Sequence, residues 1–368
     1  MYIWEHPHWP RFQQDRARLA DALAETRHAQ GRLLGRMEAL GFDMRSEATL
    51  RTLTEDVVKT SEIEGEILAP DRVRSSIANR LGLDAGGLPV PDRAVDGVVE
   101  MTLDATRNYA GPLTEERLFS WHAALFPTGR SGMRRIRVGR WRDDADGPMQ
   151  VVSGPLGRQR VHYAAPPAER LGQEVSAFLA WFEDMRSMDP VLAAGMAHLW
   201  FVSVHPFEDG NGRIARAIAD MALARSEESP ERFYSMSAQI RLERNAYYDI
   251  LEETQKGGLD ITAWQLWFLG CLGRAIGSAR RTLASVLAKA EFWEIHASEV
   301  LNERQVKVLN RLLDGFEGRL TSSRWARMNH CSQDTANRDI RDLVERGILV
   351  RSRAGGRSTS YGLADTRR

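Results

Sequence analysis

Two apolar segments, 191–204 and 214–225, are joined by a turn built on Asp209-Gly210-Asn211-Gly212, and this pairing constrains the fold more than anything else in the chain. The apolar runs at 191–204 and 261–272 are shorter than the roughly 18 residues of a membrane span. Gly, His or Gln interrupts both, so they read as helices buried in a globular core. Glycines at 210 and 212 permit positive φ and leave the backbone bare at the start of the second helix.

The rest of the chain reads as mostly α. Helical periodicity predicts two or three helices over 15–68, with a break at Gly41 and Phe42, then a Gly- and Pro-rich loop at 81–91. Further helices are expected at 95–109, 114–125, 171–185, 242–255 and 261–289. Thr114 reads as an N-cap, with Arg117 at the third position leaving the capping box incomplete. Alternation at Val151, Val152, Val161 and Tyr163 predicts one β-hairpin, the one strand pair expected before the C-terminal region. Beyond Leu301 come helices at 302–313, 321–328 and 332–346, then strands at 347–350 and 358–363 about Ala354-Gly355-Gly356, the outline of a winged helix-turn-helix. A length of 368 residues allows about two or three domains, expected at 1–90, 91–295 and 296–368.

Lys plus Arg and Asp plus Glu number 50 each, which argues against a generic nucleic-acid or membrane-surface binder. The balance is uneven along the chain: 301–368 holds 14 of the basic and 8 of the acidic residues, so a basic end offsets an acidic body. Cys271 and Cys331 have no CxxC spacing or clustered His, excluding a disulfide framework or a zinc knuckle and fitting a reducing cytoplasm. The opening Met1-Tyr2-Ile3-Trp4-Glu5-His6-Pro7 lacks the pattern of a secretory leader. Trp4, His6, His8 and Trp9 could be a metal site, but aromatic packing on the helical body is the expectation.

Chemistry concentrates in His205-Pro206-Phe207-Glu208-Asp209-Gly210-Asn211-Gly212-Arg213-Ile214-Ala215-Arg216. Successive N–H groups at a helix start can face an anion. Arg213 and Arg216, three apart, bring two guanidiniums to the same side, which suits a di- or triphosphate. Asp209 offers hard oxygen to Mg²⁺, and His205 can take a proton from an incoming hydroxyl. A base, a metal ligand and a phosphate cradle suffice for in-line attack on a bound nucleotide. The chain has no Gly-x-x-x-x-Gly-Lys-Ser/Thr run, so a P-loop is excluded.

This stretch resembles the Fic family signature, His-x-Phe-x-(Asp/Glu)-Gly-Asn-Gly-Arg-x-x-Arg, with every specified position filled. The resemblance implies a Fic-type helical core with a β-hairpin flap, and transfer of AMP from ATP to a Ser, Thr or Tyr hydroxyl of a protein, the chain itself included, with pyrophosphate released. It implies His205 as base, Phe207 as anchor and Asp209 as Mg²⁺ ligand. Gly210, Asn211 and Gly212 become the anion hole, and Arg213 and Arg216 the phosphate holders. The hairpin would align a target segment, with Val152, Ser153 and Gly154 on the nucleotide side and 156–160 as an insertion. Arg244-Asn245-Ala246-Tyr247-Tyr248 resembles the adenine-contacting segment, suggesting Tyr247 and Gln255, although two core tyrosines would read the same. Many relatives form homodimers through this core.

Thr60-Ser61-Glu62-Ile63-Glu64-Gly65 fits the family's inhibitory pattern Ser/Thr-x-x-x-Glu-Gly/Asn. Glu64 is then expected to hold Arg216 in a bidentate pair, denying it to the γ-phosphate, or else to position a water for de-AMPylation. In the C-terminal module, Ser332, Gln333, Thr335, Asn337 and Arg338 on the third helix and Arg351, Arg353 and Arg357 by the wing would face DNA, with a protein partner as the alternative. The competing reading of the whole is a DNA-binding transcriptional regulator whose Fic core senses a nucleotide.

Overall fold

The computed structural model describes all residues except 84–88, 146, 156–157, 186–187, 314–318, 353–358 and 365–368, and leaves out the side chains of Phe42, Asp43, Ser285, Val286 and Ala290. Part of the 81–91 loop, Leu156 and Gly157 of the hairpin insertion, and Arg353, Arg357 and the Ala354-Gly355-Gly356 turn therefore lie outside the described residues. The contacts divide the chain into two units, Met1–Ala279 and Arg280–Arg368, the division falling inside one long helix.

The first unit is built around α7 (Pro190–Val204) and α8 (Asn211–Glu227), which pack on each other. Residues 191–204 are all buried, as expected of a segment apolar on every side. Ahead of them come α1 (Arg16–Glu38), α2 (Phe42–Ile63), α3 (Pro70–Leu81), α4 (Arg93–Arg107) and α5 (Glu115–Leu125). Thr114 caps α5 by accepting from Arg117 N at 3.2 Å. The short pair β1 (Arg130–Ser131) and β2 (Arg134–Arg135) adds a strand pairing that alternation does not reveal, since two residues per strand show no period. Strands β3 (Gln150–Ser153) and β4 (Arg160–Ala164) form the expected antiparallel hairpin, followed by α6 (Leu171–Glu183). After α8 come α9 (Met236–Leu242), α10 (Arg244–Gln255) and α11 (Thr262–Ile295).

Helix α3 is absent from the sequence reading, although Pro70 at its first turn, Asp71 beside it and Gly82 at φ 70° after its end are the usual punctuation. The helix expected at 242–255 is α10, and the short α9 ahead of it, ending at the Glu243 junction, was not expected. The N-terminal aromatics pack on the body, with Trp9 and Phe12 edge-on to Trp200 at 6.2 and 5.6 Å and Trp4 Nε1 donating to Ala164 O at 2.7 Å.

Helix α2 ends in the Thr60–Gly65 segment. It packs on α3 and α9, and Asp56 accepts from Ser235 Oγ at 2.5 Å and Ser237 N at 3.3 Å. At its end Gly65 takes φ 87°; Gly65 N donates to Glu62 O at 3.2 Å and Glu66 N to Ser61 O at 3.0 Å. That is a Schellman turn, and it needs a glycine where the chain goes left-handed.

In the second unit α12 (Glu303–Leu313), α13 (Ser322–Asn329) and α14 (Gln333–Glu345) precede an antiparallel pair, β5 (Leu349–Arg351) and β6 (Tyr361–Leu363). Trp325, Val308, Leu309, Ile340, Leu343 and Ile348 make its core. Thr321 and Ser332 cap α13 and α14, and Arg304 grips the buried Asp339 through both carboxylate oxygens at 2.8 and 3.0 Å. Among the described residues, no helix is long and apolar enough to cross a membrane.

Candidate active site

Helix α7 ends at His205, which takes the left-handed conformation at φ 49° and ψ 57°. Its Nδ1 lies 3.1 Å from Val202 O. A carbonyl can only accept, so Nδ1 carries the proton and the neutral ring presents Nε2 as its basic atom. Burial pushes the imidazole below its ordinary pKa, which keeps it neutral at pH 7.

The turn after it is held from inside. Asn211 Oδ1 accepts from Phe207 N at 2.9 Å and its Nδ2 donates to Phe207 O at 2.8 Å, so one amide closes the loop in both directions. The Asn211 side chain is thus spent on the turn, which leaves only its backbone N–H to face an anion. Phe207 is fully buried, stacked on the His122 ring at 4.2 Å and 4.9 Å from Trp141. Burying such a ring contributes roughly 1.5–3 kcal/mol.

Gly210, at φ 79°, precedes α8 without a capping side chain, which leaves the first N–H groups of the helix to the site. A side chain at 210 would also meet Phe126 Cε2 at 2.9 Å. Asp209 Oδ1 accepts from Gly210 N at 2.6 Å, its Oδ2 accepts from the Ser131 hydroxyl, and its carbonyl accepts from His122 Nε2 at 3.2 Å. The described residues contain no cluster of three or more His, Cys, Asp or Glu side chains for a metal. The single hard carboxylate of Asp209 fits Mg²⁺ held chiefly by substrate phosphate and water.

Arg213 and Arg216 of α8 are buried and both face acids from the end of α2. Arg216 donates to Glu64 Oε1 at 2.7 Å, to Thr60 Oγ1 at 2.7 Å and to Thr60 O at 3.1 Å. The expected bidentate pair is therefore a single carboxylate contact through Nη2, which also donates to Thr60 O, while Nε donates to Thr60 Oγ1. Arg213 donates to Glu66 Oε2 at 2.7 Å and lies over the Phe126 ring at 5.0 Å. A Cβ at Gly212 would come within 2.3 Å of Glu64 Oε1, so only a bare backbone lets that carboxylate approach.

Three residues of this site carry no signal in the sequence. Arg142, 4% exposed, donates to His205 O at 2.8 Å, to Pro166 O at 2.5 Å and to Asp144 at 3.0 Å; nothing marks it among the six arginines of 130–142. His122 is held neutral, its pKa pushed down to about 4 by burial. Its Nδ1 accepts from Gly139 N at 3.2 Å. Ser131 sits in the short β1–β2 pair. Glu66 is a fourth omission, but its position two residues after Glu64 on the same turn was a usable clue.

The remaining expected residues are spread more widely. Tyr247 is 2% exposed, its hydroxyl 2.9 Å from His198 Nε2 and its ring beside Trp267, while Tyr248 is the more exposed of the pair at 38%. Gln255 donates to Ser203 Oγ at 3.1 Å, and Tyr163 OH to Ser203 O at 2.7 Å, tying α10 and β4 to the end of α7. Val152, Ser153 and Gly154 are exposed at the end of β3, with Gly154 at φ 97° closing against Arg158 O. In the second unit Gln333, Asn337 and Arg338 are exposed on α14, Gln333 Nε2 donating to Ser322 Oγ at 2.5 Å and Thr335 N to Ser332 Oγ at 3.2 Å.

Residues 112–223 match the Fic/DOC family. The chain therefore contains a Fic domain. Residues 2–83 match a second family, described only as a domain of unknown function (DUF4172). A protein named Protein adenylyltransferase Fic from Culex quinquefasciatus is 33% identical over 131 residues, 34% of this chain and 25% of that protein. A Uridine 5'-monophosphate transferase from Xanthomonas campestris is 29% identical over 130 residues, 31% of this chain and 21% of its own. The chain thus spans about a quarter of the length of these curated relatives. The crystal structure of a Fic family protein from Desulfovibrio desulfuricans shares the helical fold over 95% of this chain and 97% of that one, with a TM-score of 0.51 and 21% identity.

Proposed function

We propose that the protein is a nucleotidyltransferase that moves AMP from ATP to a Ser, Thr or Tyr hydroxyl of a protein, releases pyrophosphate, and is held silent by Glu64. The observation that carries this reading is His205, fixed in one tautomer by Val202 O beside the uncapped start of α8. His205 Nε2 would take the hydroxyl proton. The N–H groups at the start of α8 would neutralise charge growing on the α-phosphate, and Arg213 and Arg216 would hold the outer phosphates. Asp209 would hold Mg²⁺, which draws charge from the phosphates when bound. Arg142 would keep the His205 backbone in place.

In the present arrangement Glu64 and Glu66 occupy the two guanidiniums, so polyphosphate must displace them. Full-length wild type and Glu64→Gly, given Mg²⁺ and ATP labelled at the α-phosphate, test the reading. The expected result, with a mixture of candidate target proteins added, is label on those proteins that is far stronger with Glu64→Gly and absent from them when His205→Ala is added. Equal labelling of all three would overturn it. UTP run in parallel decides whether the base is adenine, a point raised by the name of the Xanthomonas relative. De-AMPylation is tested by release of AMP from a modified protein, with Glu64 then required rather than inhibitory.

A second reading concerns residues 296–368, which we propose to be a winged helix that binds DNA. Three helices followed by an antiparallel strand pair, with an excess of basic residues, support it.

A further inference from the structure

Ser153, His162 and Glu252 come together from β3, β4 and α10. Ser153 Oγ lies 2.6 Å from His162 Nε2, and His162 Nδ1 lies 2.5 Å from Glu252 Oε2. A carboxylate can only accept, so Nδ1 donates to Glu252 and Nε2 is left to receive the serine proton. Glu252 stays ionised: hydrogen bonds from Lys256, His162 and Arg160 pull its pKa down to about 2. Arg160 donates to Glu252 Oε1 at 2.8 Å and Lys256 at 2.6 Å, leaving Oε2 for the imidazole. The hydroxyl is exposed, while the imidazole and carboxylate are 26% and 18% exposed.

The hairpin is bent to make this contact. The register runs Val151 opposite Tyr163, then Val152 opposite Val161, so His162 is the extra residue of a β-bulge. An unbulged ladder would pair His162 with the residue before Ser153 and turn it to alternate faces with its neighbours. Bulges are common next to active sites because they re-aim one side chain. The bulge also lies close to the nucleotide site described above, since Tyr163 is anchored on Ser203, two residues from His205. Ser153 is two strand positions from Val151, the partner of Tyr163, or about 7 Å.

A hydroxyl on a base that is itself oriented by a carboxylate is the arrangement of an activated nucleophile. We propose that Ser153 is such a nucleophile, with His162 as its base and Glu252 orienting that base, and that it is the chain's own acceptor of the nucleotidyl group. The second half of this inference rests on the nucleotidyl-transfer reading of the core. In the step, Ser153 Oγ bonds to the α-phosphorus of the nucleoside triphosphate. The bond from that phosphorus to the oxygen bridging to the β-phosphate breaks, its electron pair leaves with pyrophosphate, and the hydroxyl proton passes to His162 Nε2. His205 then serves hydroxyls brought by other proteins, and His162 serves the flap.

Two experiments on the full chain separate the two halves. A fluorophosphonate probe, applied without nucleotide and mapped by mass spectrometry, should label Ser153. Labelling should vanish in Ser153→Ala and fall about a hundredfold in His162→Gln. A folded protein left unlabelled at Ser153, or labelled equally in His162→Gln, overturns the nucleophile. The Glu64→Gly chain with ATP and Mg²⁺ should carry an adenylyl adduct on Ser153, retained in Ser153→Thr and lost in Ser153→Ala. Adducts confined to other residues overturn the acceptor assignment and leave nucleotidyl transfer standing. No adduct on any protein sinks the reading of the core and the acceptor assignment together, while the probe result still decides the nucleophile.

Discussion

Glu66 Oε2 accepts from Arg213 at 2.7 Å, one residue past the glycine that separates it from Glu64, whose Oε1 accepts from Arg216 at the same distance. One Schellman turn therefore aims two carboxylates at the two guanidiniums proposed to hold phosphate. The inhibitory pattern read from the sequence accounts for half of this contact.

Glu66→Gln should raise α-phosphate labelling on its own, and Glu64→Gly with Glu66→Gln should exceed either single change. The Glu64 contact contributes about 1.5–3 kcal/mol, roughly ten- to a hundredfold at subsaturating ATP, and the half-exposed Glu66 pair less, about 1 kcal/mol or roughly fivefold. Initial rates against ATP concentration check it. Glu66→Gln indistinguishable from wild type would confine the restraint to Glu64.

For His205 the pH profile is the readout. If His205 is the base, as proposed, its active form is the neutral ring, and burial lowers the pKa from its reference of 6.5, so the acid limb of the rate should fall below 6.5. Rates for Glu64→Gly measured downward from neutral pH test this. A limb at or above 6.5 would contradict the buried, singly hydrogen-bonded ring.

Asn211→Ala removes both partners of the Phe207 peptide groups. Each buried group left unpaired costs about 1–3 kcal/mol. The urea midpoint should drop accordingly, and activity should fall further than stability alone explains because the turn carries Asp209 and Gly210. Asn211→Asp, which keeps the acceptor and loses the donor, should fall between the two.

Stability should decline on acidification well before carboxylates protonate. His122 has a folded pKa of about 4 and His198 of about 3, both lowered by burial from 6.5. Below 6.5 the unfolded chain binds protons that the folded one refuses, so stability is full above 6.5 and is lost as pH falls toward the folded values. For His122 the total is about 3 kcal/mol. Chemical denaturation at pH 7 and 5 measures it, and His122→Gln should show the shallower dependence.

If the second unit binds DNA, the full chain should shift a DNA duplex at low salt, and Arg338→Ala should weaken the complex and reduce its salt dependence. No shift at low salt with mixed-sequence DNA would favour a protein partner.

Much of this was legible because it is local. The 205–216 signature, the two helices around it, the Thr114 cap and the Thr60–Gly65 pattern are short runs whose chemistry depends on neighbours in sequence. Contacts made across the fold were not. Arg142 reaches His205 O from 63 positions away, and His122 meets Asp209 O from 87. No periodicity reports such a pairing, and a lone buried arginine or histidine looks like any other. Helix α9 escaped for a different reason: its seven residues are too few to show a helical period of their own.

The carboxylates at the end of α2 belong to the same molecule as the arginines they hold, which sets how this restraint behaves with dilution. A tethered group has an effective concentration fixed by the intervening chain, commonly in the millimolar range, and independent of how much protein is present. The share of molecules with Arg213 and Arg216 occupied therefore stays constant from the crowded cell to the nanomolar assay. Under the proposed function, release would come from a competitor for the guanidiniums or from a partner that draws the end of α2 away, and the apparent affinity for polyphosphate would be the intrinsic one scaled by the open fraction.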